Sequence, residues 1–307
     1  MGDMGLSVGI ALLESGLKVL TNIDGRSEKT IKNVNSTNIK TVTQTDLVKK
    51  SDIILSIIPP ESSVQVANQL SKLSQLISEP ITYVECNAIS PNTTKFIEKS
   101  FMTKSFKNSK YIDGSIIGTA PNVSYKPNLY ISGKFANEIE SLKSNAFNII
   151  NLGENLESAS SIKMCYASLT KGTNALWVSL LLLSEKLSIF DELIAELNYS
   201  QKESLTKMKN QIPKLPAKSG RWIAEMREIA STYKSQNLHP GSFDNSSYIY
   251  NLISTMENKN IKDFQGTLSE VLEMFRFNQA RYRWYKGDSE YTYYTIYEGK
   301  DSDLVKF

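Results

Sequence analysis

Two rhythms of apolar positions divide this chain. Over residues 1–152, short β-rich runs alternate with amphipathic stretches. Leu17 to Thr21, Ile53 to Ile58, Ile81 to Glu85, Tyr111 to Ile117, Leu129 to Ser132 and Phe147 to Leu152 predict strands. Helical spacing falls between several of them: Ser7 to Ser15 ahead of the first strand, Ser62 to Ile77 after the Pro59–Pro60 pair, and Pro91 to Lys99, which opens on a proline where a first helical turn tolerates one. Such alternation predicts repeated βαβ units and a largely parallel sheet. From residue 153 onward the spacing is helical, with Ser158 to Leu187, Ile189 to Leu197, Lys202 to Gln211, Arg221 to Ser235 and Ser247 to Glu257 separated by turn material at Pro213 to Gly220 and His239–Pro240–Gly241. An α/β domain over 1–152 followed by an all-α domain over 153–307 is expected, with an atypical Tyr-rich tail from about residue 260.

Composition narrows this picture. With 40% hydrophobic and 22% charged residues in 307, the chain has the makings of packed cores and is not a disordered protein. A formal charge of +3 supplies no basic field, so neither nucleic acid nor an acidic membrane surface is an expected partner. Cys86 and Cys165 cannot make a disulfide framework, which favours a reducing compartment. The apolar run from Ala175 to Leu183 is too short for a bilayer, and no basic stretch and apolar run open the chain as a signal peptide would; a cytoplasmic protein is expected. His239 is the only histidine, and a lone histidine in a Pro-Gly turn is a poor base for Ser-His-Asp chemistry. No C-x-x-C or H-E-x-x-H spacing occurs, so no metal site is expected.

Chemistry enters at the first residues. Gly2-Asp3-Met4-Gly5 followed by an amphipathic stretch matches the latter half of a G-x-G-x-x-G turn. Gly2 would let the backbone approach a pyrophosphate, Gly5 would let the helix pack closely on a strand, and the first-turn amides would hold the anion. The first glycine of that turn, and the strand before it, have no residues here to occupy. That strand is central in a doubly wound sheet, so its absence exposes two strand edges. The chain is therefore expected to be a fragment, a mis-started reading frame, or a product crippled in cofactor binding. At the end of the next strand, Asn22 stands where an acid would hold the ribose 2′-hydroxyl of NAD, and Arg26 and Ser27 follow within reach of a 2′-phosphate. NADP is preferred, while Asp24 keeps NAD open and Arg26 also reads as a solvated loop charge.

Together, Gly2 to Gly5, Thr21 to Ser27, Ser56-Ile57-Ile58-Pro59-Pro60, Glu85 to Pro91 and Asp113-Gly114-Ser115-Ile116-Ile117-Gly118 resemble the β-hydroxyacid dehydrogenase superfamily. The closest likeness is to a branch of 6-phosphogluconate dehydrogenase-like proteins with a distinctive helical C-terminal domain, whose signatures resemble Ile162 to Gly172 and Arg221 to Ala230. The likeness covers roughly residues 1–255. It implies a Rossmann-like domain joined by a long helix to an all-helical domain, an active site between them, hydride transfer to or from a nicotinamide, and a homodimer. It also implies that Lys163 is the catalytic lysine, because burial brings an amine towards pKa ~7 to 8, where it can take and return a proton. Pro59 and Pro60 would shape the loop against the cofactor, with Ile58 and Pro59 among the cofactor-binding residues. Asn87 resembles a contact to the nicotinamide ribose and substrate, although an Asn-initiated turn explains it equally. Ile117, Gly118 and Thr119 would form the substrate loop, and Lys171 would bind a substrate carboxylate or face water.

Two departures matter. The superfamily's better-known members carry an asparagine one turn after the catalytic lysine, where this chain has Ala167. Their substrate loop has a serine and paired glycines, whereas this one is more apolar. A charged sugar-acid phosphate is thus a poor substrate candidate, and a hydroxyacid or related alcohol a better one. From a different class, a catalytically silent nucleotide-binding or scaffold homologue stands as the alternative. The Arg- and Tyr-rich segment from Arg281 to Tyr297 reads as a packed edge or subunit contact rather than a nucleic-acid platform.

Overall fold

The computed structural model describes residues 2–104, 109–139, 142, 144–256 and 263–279. The Tyr-rich segment lies outside them. The chain divides into two compact units, one of residues 1–169 with 224–243 and one of residues 170–223 with 244–307.

In the first unit, helix α1 (Asp3–Glu14) ends where Gly16 adopts a left-handed φ of +85°. Then follow β1 (Leu20–Thr21), α2 (Glu28–Asn35), β2 (Lys40–Thr41), α3 (Gln44–Lys50), β3 (Ile53–Ser56), α4 (Ser63–Ser74), β4 (Thr82–Glu85), α5 (Pro91–Lys104), β5 (Lys110–Ile117), β6 (Asn128–Ser132) and β7 (Asn148–Asn151). The elements α2, β2 and α3 carry little apolar signal. Val34 and Val48 are the buried residues of the two helices, and both residues of β2 are exposed. Capping sets their starts instead. Ser27 Oγ accepts from Thr30 N at 3.3 Å, and Thr43 Oγ1 accepts from Asp46 N at 3.1 Å.

Strands β3 to β7 form one sheet in chain order, with β3, β4 and β5 parallel, β6 antiparallel to β5, and β7 parallel to β6. All four residues of β4 are buried, as expected for a parallel strand covered on both faces. Val8, Leu12, Val84, Ile112 and Leu129 share one core cluster, and Leu70, Tyr83, Ile97, Phe101 and Tyr111 another. Gly114 permits the close approach of β5 to β4, since a Cβ there would lie 2.9 Å from the Glu85 carbonyl oxygen.

Strands β1 and β2 pair only with each other. The sequence from Lys18 to Asn22 and from Asp52 to Ile58, together with Gly5, Val8, Gly9 and Leu12 of α1, lines a cavity of about 1010 Å³. Among the described residues, β1 and β3 therefore each keep one edge without a ladder partner, and both border the same cavity. A doubly wound sheet would place a strand there.

Helix α6 (Ser158–Lys186) continues into the second unit, which holds α7 (Phe190–Ser200), α8 (Lys202–Gln211) and α11 (Phe264–Gln279). Two further helices, α9 (Ser219–Ser235) and α10 (Gly241–Ser254), have residues in both units. Within the second unit Leu205, Met208, Ile212, Tyr250, Leu268 and Val271 are buried. The α9 segment that clusters with the sheet brings Glu228 to the start of α5, where its Oε2 accepts from Ser90 N at 2.7 Å and Thr93 Oγ1 at 2.8 Å. Among the described residues, no helix is long and apolar enough to cross a membrane.

Candidate active site

The polar chemistry of the first unit gathers where β3, β4 and β5 end. Asn87, just past β4, ties two strand ends together. Its Oδ1 accepts from Ile58 N at 2.6 Å, while its Nδ2 donates to Ser56 Oγ at 3.0 Å and to Glu85 Oε1. Its amide polar atoms are thus engaged within the protein, which organises the loop at Ile58 and Pro59. Glu85 Oε1 also accepts from Asn87 N at 3.1 Å, and its Oε2 accepts from Tyr83 Oη at 3.1 Å. Burial pushes the Glu85 carboxyl up to about 8, and Asp113, its partner across the β4–β5 ladder, adds to the rise. Glu85 thus holds its proton more tightly than an ordinary carboxyl does.

Asp113 is also fully buried, and burial raises it to about 7. Its Oδ2 accepts from Ser160 N at 2.7 Å in the first turn of α6, and its Oδ1 from Thr94 Oγ1 at 3.1 Å. One turn further along α6, Lys163 Nζ donates to the Ile116 carbonyl at 2.5 Å. Among the described residues the amine has no carboxylate partner. Burial alone lowers its pKa to about 8.

Beyond Ile116 the chain passes through Ile117 to the exposed Gly118 and Thr119. Gly118 has a left-handed φ of +135°, and a Cβ on it would stand 2.1 Å from Tyr125 Oη. A tight turn holds Tyr125 there, with Asn122 N donating to its carbonyl at 2.9 Å and Tyr125 N donating to Asn122 O at 3.2 Å. Lys163 and the loop from Ile117 to Thr119 are thus brought together. Lys171 lies in the second unit, its ammonium 5.6 Å from the centre of the Trp222 ring.

The expected dinucleotide residues sit at the head of α1 and past β1. Gly2 caps α1 with extended backbone and no side-chain cap, Asp3 is in the first turn, Met4 packs against the core, and Gly5 is buried. Asn22 Nδ2 donates to Asp24 Oδ2 at 2.7 Å and to Val42 O at 3.0 Å. Ser27 caps α2, and Arg26 is exposed. Gly5, Asn22, Asp24, Arg26 and Ile58 line one cavity, and Pro59 beside it is exposed. These residues fit a dinucleotide in two respects: the first-turn amides of α1 have no side-chain cap, and a cation stands past β1. Among the described residues no cluster of His, Cys, Asp and Glu could hold a metal ion.

Comparison with known proteins bears on what this arrangement belongs to. Residues 185–253 match the family described as "Domain of unknown function (DUF1932)". An uncharacterized 28.5 kDa protein encoded in the 7S RNA 5′ region of Methanothermus fervidus is 31% identical over 226 residues, 73% of this chain and 85% of that protein. The chain belongs to the family of this Methanothermus fervidus protein. Among solved structures, the conserved protein MTH1747, described as similar to 3-hydroxyacid dehydrogenases, superposes with a TM-score of 0.59 at 22% identity, over 82% of this chain and 93% of that one. The 3-hydroxyisobutyrate dehydrogenase of Mycobacterium tuberculosis, solved with L-serine, superposes with a TM-score of 0.63 at 12% identity, over 87% and 95%. The fold is thus shared with these structures, a Rossmann-like α/β region followed by helices.

Sequence reading did not single out four residues that the structure brings to this cluster: Glu85, Asp113, Tyr125 and Glu228. Glu85 and Asp113 left a signal, as carboxylates inside otherwise apolar strand runs. Tyr125 and Glu228 left none, because a turn and a distant helix bring them in.

Proposed function

We propose that the protein is an NADP-dependent oxidoreductase that moves hydride between a hydroxyacid or related alcohol and the nicotinamide, with Lys163 as general acid and base. The observation that carries this reading is the Lys163 amine, held on the Ile116 carbonyl, without a carboxylate partner among the described residues, and brought by burial to about 8. An amine so poised accepts a hydroxyl proton at neutral pH and returns it in the reverse direction. The cofactor, when bound, supplies the hydride acceptor. Gly2 to Gly5 would face its diphosphate, and Arg26 a 2′-phosphate; Asp24 supports NAD as the second choice. Ile58 and Pro59, fixed by Asn87, would bound the nicotinamide side. Ile117, Gly118 and Thr119 form a mostly uncharged loop, which suits a small substrate. Leu169, Leu176 and Leu183, exposed at seven-residue spacing on α6, support a homodimer, and a cytoplasmic location accords with the free thiols of Cys86 and Cys165.

Titration of cofactor fluorescence, combined with turnover on hydroxyacids, tests the proposal. Lys163→Ala should keep cofactor binding and lose turnover by about 10²–10⁴-fold; undiminished turnover in that variant would overturn it. The cavity between β1 and β3 favours a second reading, a silent nucleotide-binding or scaffold homologue, for which neither form would turn over substrate.

A further inference from the structure

Two contacts fasten α6 to β5 in the same register. Ser160 N donates to Asp113 Oδ2, and Lys163 Nζ donates to Ile116 O, each joining residues 47 apart in the chain. Ser160 and Lys163 are three apart on one helix and so share a face. Asp113 and Ile116 are three apart on one strand, and both are buried. The lower contact is reinforced from outside the pair. Thr94 Oγ1 donates to Asp113 Oδ1 at 3.1 Å; Ser132 Oγ accepts from Ala159 N at 3.0 Å and donates to Leu156 O at 3.0 Å. The orphan amides at the start of a helix are a natural seat for a carboxyl oxygen. Gly114 lets β5 lie close to β4 beside that seat.

We infer that Asp113 is a positioning residue: its carboxyl group anchors the first turn of α6 to β5, and this anchor sets the Lys163 amine against the Ile116 carbonyl. Asp113 itself stays off the substrate. The proposal rests on the reading of Lys163 as the proton carrier, but its geometry does not. The groups that face Asp113 electrostatically are Glu85 on β4, Cys86 just past it, and Tyr111 on β5, while burial is the influence on Lys163. Loss of the anchor should therefore reach Lys163 through its exposure.

The protonation of Lys163 can be read without any substrate, by competitive labelling of the whole chain with acetic anhydride across pH and mass spectrometry of the Lys163 peptide. In the unaltered protein the labelling midpoint should fall near pH 8. Asp113→Ala should move it up by about one unit or more towards an ordinary lysine, with kcat reduced more than KM is changed. Asp113→Asn, which keeps an oxygen acceptor for Ser160 N, should hold the midpoint. An unmoved midpoint in a folded Asp113→Ala protein would overturn the proposal, as would an Asp113→Asn shift as large as that of alanine, which would make charge the cause. If Asp113→Ala does not fold, Ser132→Ala, which removes the hydroxyl bonded to Ala159 N and Leu156 O, should give a smaller shift in the same direction; no shift there also overturns it. Turnover that survives Lys163→Ala would defeat the proposed activity and leave the labelling result standing.

Discussion

The two sides of the first unit are packed to opposite standards. Around β4 and β5, Thr82 to Glu85 and Tyr111 to Ile116 are buried throughout. Contact there is so close that a methyl group on Gly114 would press on Glu85 O at 2.9 Å and Val84 Cγ1 at 3.0 Å. Around β1 and β3, by contrast, Val8, Leu12, Leu55 and Leu70 border a cavity of about 1010 Å³. The closed side holds the groups with displaced pKa values, Glu85, Asp113 and Lys163. The open side holds Gly5, Asn22 and Arg26. Displaced protonation needs exclusion of water, which the packed strands around Glu85 and Asp113 supply.

Matched leucines should expose the difference most strongly. Leu129 on β6 is fully buried, and Leu12 on α1, in the same core cluster, borders the cavity. Leu129→Ala leaves a void among fixed neighbours and should cost about 4–5 kcal/mol. Leu12→Ala, already short of neighbours, should cost about 2 kcal/mol. Denaturant midpoints at constant slope measure both. Equal losses would mean that the cavity wall is packed as tightly as the sheet.

The same contrast explains what could be read from the chain before its fold. The runs from Ile53, Ile81, Tyr111 and Leu129 were legible as strands because β3 to β6 bury apolar side chains at regular spacing. In the helical half, Lys202 to Gln211 matches α8 residue for residue, and Ser158 to Leu187 overshoots α6 by one. The elements α2, β2 and α3 were invisible because each buries at most one side chain, and their caps at Ser27 and Thr43 resemble ordinary loop residues. At the site, Lys163 and the loop after Ile116 could be named from motif alone. What motif could not supply was the internal use of Asn87, whose amide holds Ser56, Ile58 and Glu85, or the capping use of Ser27. Both are pairings that sequence order does not record. The compact units also interleave, with residues 224–243 grouped with the sheet, an arrangement that a linear change of rhythm near residue 153 does not reveal.

The closed side should also give stability an uncommon pH profile. Glu85 rises from 4.5 to about 8 and Asp113 from 3.8 to about 7 on folding. Between those values the native state holds protons that the unfolded chain has released, so their contribution is fully present below about pH 4 and is lost as pH rises through 7 to 8. Lys163 falls from 10.5 to about 8. Between 8 and about 9 the unfolded chain binds the extra proton, so stability is regained there as pH rises; above that the buried Cys86, Tyr83 and Tyr111, which burial holds above their ordinary values, oppose the gain. A minimum near pH 8 in thermal denaturation is the expected outcome. Each group contributes a slope of at most about 1.4 kcal/mol per pH unit. Glu85→Gln, which keeps the shape and cannot ionise, should remove the part of the slope that extends to pH 8. An unchanged profile in that variant would show that Glu85 is ionised in the folded protein.

The smallest effect is the most discriminating, because it should change sign between the two sides. Val66 on α4 is partly buried and borders the cavity, whereas Val84 on β4 is fully buried with its Cγ1 turned towards Gly114. One added carbon is worth about 0.8 kcal/mol when it enters space already walled by apolar groups. It costs about 1–3 kcal/mol when it must displace packed neighbours. Val66→Ile should therefore raise the melting temperature by about 2–4 °C, and Val84→Ile should lower it by at least as much. Since both changes are Val→Ile, propensity and side-chain entropy largely cancel, and the sign reports only whether room exists. If Val66→Ile were as damaging as Val84→Ile, the space between β1 and β3 would be closed in solution, and the contrast between the two sides would fail with it.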